Sequence, residues 1–140
     1  TDIRAVNAGH IKALEVEMVD LSELLERSDY VCLHCDLNST SDHLISTPQF
    51  KIMKPTAVVL NLARGPIIDE IALIAALKNG EIAGAALDVF EDEPLPKNSL
   101  LLEMDNVMIA PHNSNSSPAA WERVHLSTLN QLLDGLKSSG

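Results

Sequence analysis

Apolar runs of five to seven residues alternate with segments of helical pattern along most of the chain. The runs lie at residues 15–19, 30–35, 57–63, 84–90 and 106–111. Their length predicts β-strands, and the almost wholly apolar run at 57–63 is typical of a strand that is covered on both faces. Strands that alternate with helices form parallel sheets through right-handed crossovers. The pattern therefore predicts an α/β fold of Rossmann type, doubly wound around a mainly parallel sheet, with the 106–111 strand near an edge.

Capping residues mark where the predicted helices begin and end. Asp20 and Asp69 each precede a helical segment, and Gly80 stands where the second of these helices would need a C-terminal cap. Pro48 begins a short helix that must stop before the next proline. A long amphipathic helix follows residues 117–118, and its apolar residues recur at helical spacing: Trp121, Val124, Leu129, Leu132, Leu133 and Leu136.

The charge balance narrows the classes of partner. The 140 residues carry a formal net charge of −10, and 46% of them are hydrophobic although only 3% are aromatic. An acidic surface repels nucleic-acid phosphates and anionic lipids, so nucleic-acid and membrane-surface roles are disfavoured. No apolar run approaches the roughly 20 residues of a membrane-spanning helix. We therefore expect a soluble, cytoplasmic protein.

The two cysteines form a C-x-x-C pair in "VCLHC". This spacing occurs in redox and metal sites, but here it lies in an apolar run with the pattern of a strand. Cys32 and Cys35 are an odd number of positions apart, so in a strand their side chains point to opposite faces and cannot share a disulfide or a metal. We expect Cys32 to be buried and Cys35 to lie near the end of the strand, with no metal site.

Polar and ionisable residues come at the ends of the predicted strands. Cys35 and Asp36 end one strand, Arg64 ends the next, Asp88 ends the fourth and His112 ends the fifth. Each has an ordinary structural explanation, such as a surface arginine, a turn-forming aspartate or a histidine that only packs. Ligands of parallel α/β sheets, however, bind beyond the carboxyl ends of the strands, where all these residues would meet. Their joint placement favours a functional site.

The residue types also fit one kind of chemistry. An arginine binds a carboxylate through two parallel hydrogen bonds and keeps its charge. A histidine transfers protons near neutral pH, and a neighbouring carboxylate favours its charged form and fixes its tautomer. An arginine together with a histidine–carboxylate pair indicates a site that acts on an oxo or hydroxy acid.

The block "NLARGPIIDEIALIAALKNGEIAGAALDVFEDEPLP", followed by "NVMIAPH", resembles the D-isomer-specific 2-hydroxyacid dehydrogenases. This family includes phosphoglycerate, glycerate and D-lactate dehydrogenases. The resemblance runs from about residue 15 to residue 136. It implies an NAD-dependent oxidoreductase that moves a hydride between C2 of a D-2-hydroxy acid and the nicotinamide ring, and it also implies a homodimer.

The resemblance implies roles for particular residues. Arg64 would bind the substrate's carboxylate and carbonyl, Glu93 would be the family's glutamate, and His112 would be the acid/base. The coenzyme would be NAD, and the family pattern places its contacts at Asp2, Cys35, Asp36, Leu62, Ala63, Arg64, Asp88, His112, Asn113, Ser114 and Asn115.

Two departures from the family pattern bear on the prediction. The family usually has a proline where this chain has Asp36, and a carboxylate there favours NAD over NADP. The family's G-x-G-x-x-G loop, which binds the pyrophosphate, does not occur in residues 1–140. We therefore expect the chain to be one partial dinucleotide-binding domain without the family's substrate-binding domain. Two alternatives to an active dehydrogenase remain open: a non-catalytic NAD-binding protein similar to the corepressors of this family, and a catalytically inert fragment.

Overall fold

The computed structural model of the protein describes residues 1–114 and 116–138, and this part of the chain contains four strands and five α-helices. In chain order the elements are α1 (Ala8–Ala13), α2 (Leu21–Arg27), β1 (Tyr30–Leu33), α3 (Thr47–Ile52), β2 (Val58–Asn61), α4 (Glu70–Asn79), β3 (Gly84–Leu87), β4 (Val107–Ile109) and α5 (Pro118–Ser138). Two short 3₁₀ helices lie at Gly65–Ile67 and Leu100–Glu103. Among the helices of these residues, none is both long enough and apolar enough to cross a membrane.

The strands form one parallel sheet in the order β1-β2-β3-β4. Parallel neighbours need crossover connections, and α3 and α4 supply the first two of these. The sheet confirms the predicted Rossmann-type α/β class, and β4 lies at an edge as predicted. Parallel strands in one sheet bring their carboxyl ends to a common edge, which we call the carboxyl edge.

The core lies between one face of the sheet and helices α2, α3 and α4. Val31, Val59 and Ala85 point into it from three neighbouring strands and are at most 3% exposed. The helices contribute further large side chains to the same buried cluster, including Leu25, Phe50, Leu73 and Leu77. Alternate residues of each strand therefore supply the apolar face that these helices cover.

The opposite face of the sheet is largely open in the described part of the chain. Tyr30 and Met108 are 70% and 72% exposed, and Cys32 is exposed as well. The prediction that Cys32 is buried was therefore wrong, because Cys32 points to the face that α2–α4 do not cover. Cys32 and Cys35 are both free thiols.

The predicted capping residues occupy the predicted positions. Asp20 caps α2 by accepting a hydrogen bond from the backbone N–H of Glu23, at 2.8 Å. Asp69 caps α4 by accepting from Ala72, at 3.0 Å. Gly80 ends α4 in the left-handed conformation, with φ of 68°, which glycine adopts without strain.

The strand predicted at residues 15–19 was wrong. This segment is extended or turned, and in the described residues the sheet consists of the four later strands alone. A strand needs a neighbour for its backbone hydrogen bonds, and alternation of apolar residues cannot supply one. Helix α1, which begins after the capping residue Asn7, was not predicted. The other strands are present but two to three residues shorter than their apolar runs.

Candidate active site

An open pocket of about 430 Å³ lies at the carboxyl edge, beyond the ends of β1 and β2. Its lining contains five of the predicted site residues together with two neighbours: His34, Cys35, Asp36, Leu37, Leu62, Ala63 and Arg64. The structure thus brings together the residues that end two neighbouring strands, as expected for the ligand-binding edge of a parallel sheet.

The loop that carries Arg64 is held by Asn61, the last residue of β2. The Asn61 side chain is 1% exposed. Its Nδ2 donates to the carbonyl of Arg64 at 2.9 Å, and its Oδ1 accepts from the backbone N–H of Ala63 at 3.1 Å. Sequence analysis did not identify Asn61, although a single amide inside an apolar strand indicates a buried polar group with a specific partner.

Gly65 packs directly against the loop after β3. A Cβ atom at Gly65 would lie 1.8 Å from the carbonyl oxygen of Phe90, closer than any side chain allows. The loop with Arg64 and the loop with Glu93 are therefore in backbone contact. Any side chain at this position would clash with Phe90, which explains why a glycine follows Arg64.

Glu93 and His112 form the predicted histidine–carboxylate pair. Glu93 Oε2 and His112 Nδ1 are 2.7 Å apart, and Glu93 Oε1 accepts from the backbone N–H of Phe90 at 3.0 Å. The bond with His112 has the largest effect and lowers the pKa of Glu93, burial opposes it, and the Phe90 N–H and the positive charge of Arg64 lower the pKa further. Glu93 is thus held in its charged form by the histidine, the Phe90 N–H and the charge of the arginine.

Asp88 holds the turn on which His112 lies. Its two carboxylate oxygens accept from the backbone N–H groups of Asn113 and Ser114, each at 2.9 Å. Burial opposes its charged form, yet the hydrogen bonds from Ser114 and Asn113 outweigh burial and lower the pKa of Asp88. His112 itself has φ of 54°, a left-handed conformation that is uncommon for residues other than glycine. Asp88 therefore stabilises a strained turn and thereby positions the imidazole.

Two predicted coenzyme residues, Asp2 and Asn115, are not among the described residues of the pocket or of the contacts around Glu93, Asp88 and His112. Asp2 accepts from the backbone N–H of Arg4 at 2.8 Å, in an exposed segment that does not line the pocket. Asn115 lies outside the described residues.

The arrangement offers three chemical functions along one edge. Arg64 presents a fixed positive charge beside the pocket, and His112 presents a ring whose other nitrogen, Nε2, is directed away from Glu93. Glu93 accepts from Nδ1, which leaves Nε2 to exchange a proton with a ligand. An anion bound by the arginine and a proton held by the histidine are the requirements for acid/base chemistry on a small carboxylic acid.

Comparisons with known proteins agree with this chemistry. The model of the family described as the D-isomer specific 2-hydroxyacid dehydrogenase, NAD binding domain, matches residues 2–114. The chain is 50% identical over 109 residues to a glyoxylate reductase of Thermofilum pendens, covering 78% of this chain and 32% of that protein. The chain is also similar to the solved structure of a glyoxylate reductase from Paecilomyes thermophila, with a TM-score of 0.83 and 32% identity over 92% of this chain and 38% of that one.

A third similar protein is a D-isomer specific 2-hydroxyacid dehydrogenase from Lactobacillus delbrueckii ssp. bulgaricus in its NAD complexed form. It has a TM-score of 0.79 and 29% identity over 96% of this chain and 44% of that one. The chain therefore belongs to the D-isomer-specific 2-hydroxyacid dehydrogenases, which confirms the resemblance and the NAD-binding assignment. It spans 32% of the length of the Thermofilum relative.

The carboxyl edge fits such a coenzyme. The pocket is open and lies at the ends of two adjacent parallel strands, where mononucleotide and dinucleotide ligands bind in α/β sheets. Leu62 and Ala63 line it beside Arg64, so a ligand in the pocket would lie next to the arginine.

Proposed function

We propose that this family member is part of an NAD-dependent oxidoreductase that transfers a hydride between C2 of a D-2-hydroxy acid and the nicotinamide ring. The contact between Glu93 and His112, 2.7 Å long and under the influence of the Arg64 charge, is the observation that carries the proposal. The three residues come from different loops, so their convergence is not a by-product of local sequence. Bound NAD would supply the hydride acceptor.

Each of the three residues has a proposed task. Arg64 binds the substrate's carboxylate through its planar guanidinium and orients the carbonyl. His112 takes the hydroxyl proton during oxidation and returns it during reduction. Glu93 keeps the proton of the imidazole on Nδ1 in the neutral form and stabilises the imidazolium that follows.

Coenzyme contacts are proposed both in the pocket and outside it. Cys35 and Asp36 would lie beside the adenosine half, and Asp2 would bind its ribose. Leu62 and Ala63 would contact the nicotinamide ribose. At the nicotinamide end the proposed contacts are Asp88, Asn113, Ser114 and Asn115. The Asp36 carboxylate at the edge of the pocket supports NAD rather than NADP, because it would repel an added phosphate.

We also propose that residues 1–140 form one part of a dinucleotide-binding domain, with the substrate-binding domain supplied by further chain. The 32% coverage of the Thermofilum relative supports this division. A homodimer is proposed because α5 carries a stripe of exposed apolar residues, and sedimentation would test it. The two free thiols support a reducing compartment such as the cytoplasm, and cell fractionation would test that location.

The decisive experiment measures NADH consumption with glyoxylate and with pyruvate, using the protein in its full natural extent. We expect saturable turnover that falls about 10²- to 10⁴-fold in His112→Gln, because the proton donor is lost. Arg64→Ala should lower kcat/KM by roughly 10- to 100-fold, in line with the loss of a charge-assisted hydrogen bond. NADH affinity, followed by Trp121 fluorescence and calorimetry, should change little in His112→Gln.

Matched controls come from exposed residues of the same types. His10→Gln in α1 and Arg123→Ala in α5 should retain full turnover. NADH binding without turnover of either acid would favour a non-catalytic NAD-binding protein. Absence of both binding and turnover would contradict the proposal and favour an inert fragment.

A further inference from the structure

The loop between Phe90 and Glu93 contains a second glutamate, which points away from the pair described above. Glu91 Oε1 lies 2.8 Å from Nε2 of His43 and also accepts from the backbone N–H of Glu70 at 3.1 Å. Glu70 is the first residue of α4. The loop is therefore attached on one side to His112 through Glu93, and on the other side to His43 and α4 through Glu91.

His43 is itself fixed in place by backbone contacts. Its φ is 48°, and its backbone N–H donates to the carbonyl of Pro66 at 2.7 Å. Two residues later, Ile45 forms a parallel bridge with Ile68. The segment with His43 is thus bound to the chain that directly follows Arg64.

These contacts link the three loops around the active site. Arg64 and Pro66 lie on one loop, Glu91 and Glu93 on the second, and His43 on the third. At Gly65 the first and second loops pack backbone against backbone, because a Cβ at this position would overlap the carbonyl of Phe90. The His43–Glu91 pair spans from the third loop to the second and holds the second in this position.

We propose that His43 and Glu91 are positioning residues, whose contact sets the place of the 90–93 loop and thereby the alignment of Glu93 with His112. The inference rests on the proposed function for its catalytic consequence. The pair is distinct from the Glu93–His112 pair, since Glu91 bonds to His43 and the backbone of Glu70, whereas Glu93 bonds to His112 and the backbone of Phe90. His43 is about half exposed at its side chain, and exposed pairs of this kind contribute little to global stability. Its effect should therefore be found in catalysis.

The test compares His43→Asn with His43→Gln, which differ in whether the side-chain amide can reach Glu91. Asn tolerates a left-handed backbone, but its amide is too short to reach Glu91. Gln places its amide nitrogen near the position of Nε2. We expect His43→Asn to lower kcat roughly 10-fold, as misplaced catalytic groups do, with the KM for NADH unchanged, and we expect His43→Gln to restore most of the loss.

A second comparison separates positioning from a general structural role. In a Glu93→Ala background, His43→Asn should have almost no further effect on kcat, because the contact between Glu93 and His112 that it disturbs is already removed. An equal loss of kcat in both backgrounds would overturn the proposal, as would no loss in either.

A spectroscopic measurement keeps the proposal testable if no acid is turned over, an outcome that would contradict the proposed function alone. NMR signals of the His112 ring report its bond to Glu93. We expect His43→Asn to shift these signals and the control His10→Asn to leave them in place. Unchanged His112 signals in His43→Asn would overturn the positioning role whatever the activity.

Discussion

Helices α4 and α5 both carry apolar residues at helical spacing, yet only α4 buries them. Ala72, Leu73, Ala76 and Leu77 of α4 belong to the core. On α5, Trp121 and the apolar residues between Val124 and Leu136 are all more than half exposed. An apolar stripe identifies the face with which a helix can pack. The partner that covers this face comes from elsewhere in the fold, and the sheet provides it for α4.

The largest expected difference between the two helices concerns matched leucines. Leu73 is 1% exposed and Leu129 is 55% exposed. Leu73→Ala should lower the free energy of unfolding by about 2–5 kcal/mol, because it leaves a cavity in the core. In the monomer, Leu129→Ala should change it by less than about 0.5 kcal/mol. Urea unfolding at a protein concentration that keeps the chain monomeric measures both, and similar losses there would mean that α5 is packed within the monomer.

Two glycines extend the comparison to the backbone. In Gly65→Ala the new methyl group would meet the carbonyl of Phe90, and forcing the loops apart should cost about 1–3 kcal/mol. In Gly135→Ala, within α5, the methyl group meets no atom within 4 Å. This change should strengthen the helix by about 0.5–1 kcal/mol. Thermal unfolding followed by circular dichroism checks both, and a neutral Gly65→Ala would show that the two loops separate easily.

Removing the N-terminal capping residues of α4 and α5 should give a smaller difference in stability. Asp69 accepts from Ala72 at the start of α4, and Ser117 Oγ accepts from Ala120 at the start of α5. Asp69→Ala should cost about 1 kcal/mol of global stability. Ser117→Ala should shorten α5 without a change in the unfolding midpoint of the core, because α5 is not buried. A shared loss of midpoint in urea would contradict this difference.

The smallest expected effect is a pH dependence at Asp69. The hydrogen bond from Ala72 lowers the pKa of Asp69, the bond from Ser46 adds to this, and burial opposes it. A lowered pKa contributes stability above the ordinary value of about 4, and this stability is lost as the pH falls through the folded value. Asp69→Asn should therefore reduce the fall in stability between about pH 5 and pH 3. Ser117→Ala carries no titrating group at that position and should keep the wild-type slope.

Capping residues in the sequence were enough to predict the ends of the buried helices. Asp20, Asp69 and Gly80 act on backbone groups within a few residues, so their types predict where the helices begin and end. The segment 15–19 shows the limit of this reasoning, because a strand depends on a neighbouring strand, which need not be close in sequence. Cys32 shows the same limit, since burial depends on which face of the sheet is covered.

The placement of the candidate residues at the carboxyl edge was predictable, but their supports were not. Arg64, Glu93 and His112 lie in the segments on which the resemblance rests, and parallel strands bring their ends together. The contact between His43 and Glu91 joins residues 48 positions apart, and no periodicity connects them. Asn61 is an intermediate case, since an amide in an apolar strand indicates a buried partner without naming it.

The order of the sheet has a consequence for how the protein assembles during synthesis. Tyr30 pairs with Val58, and Val58 pairs in turn with Gly84. Each strand therefore bonds to the strand that the ribosome made just before it. Modest sequence separation between partners favours rapid folding, and N-terminal regions fold first as a chain emerges. The four strands can thus join the sheet one at a time in the order of translation, and His112 reaches the carboxyl edge once β4 has joined it.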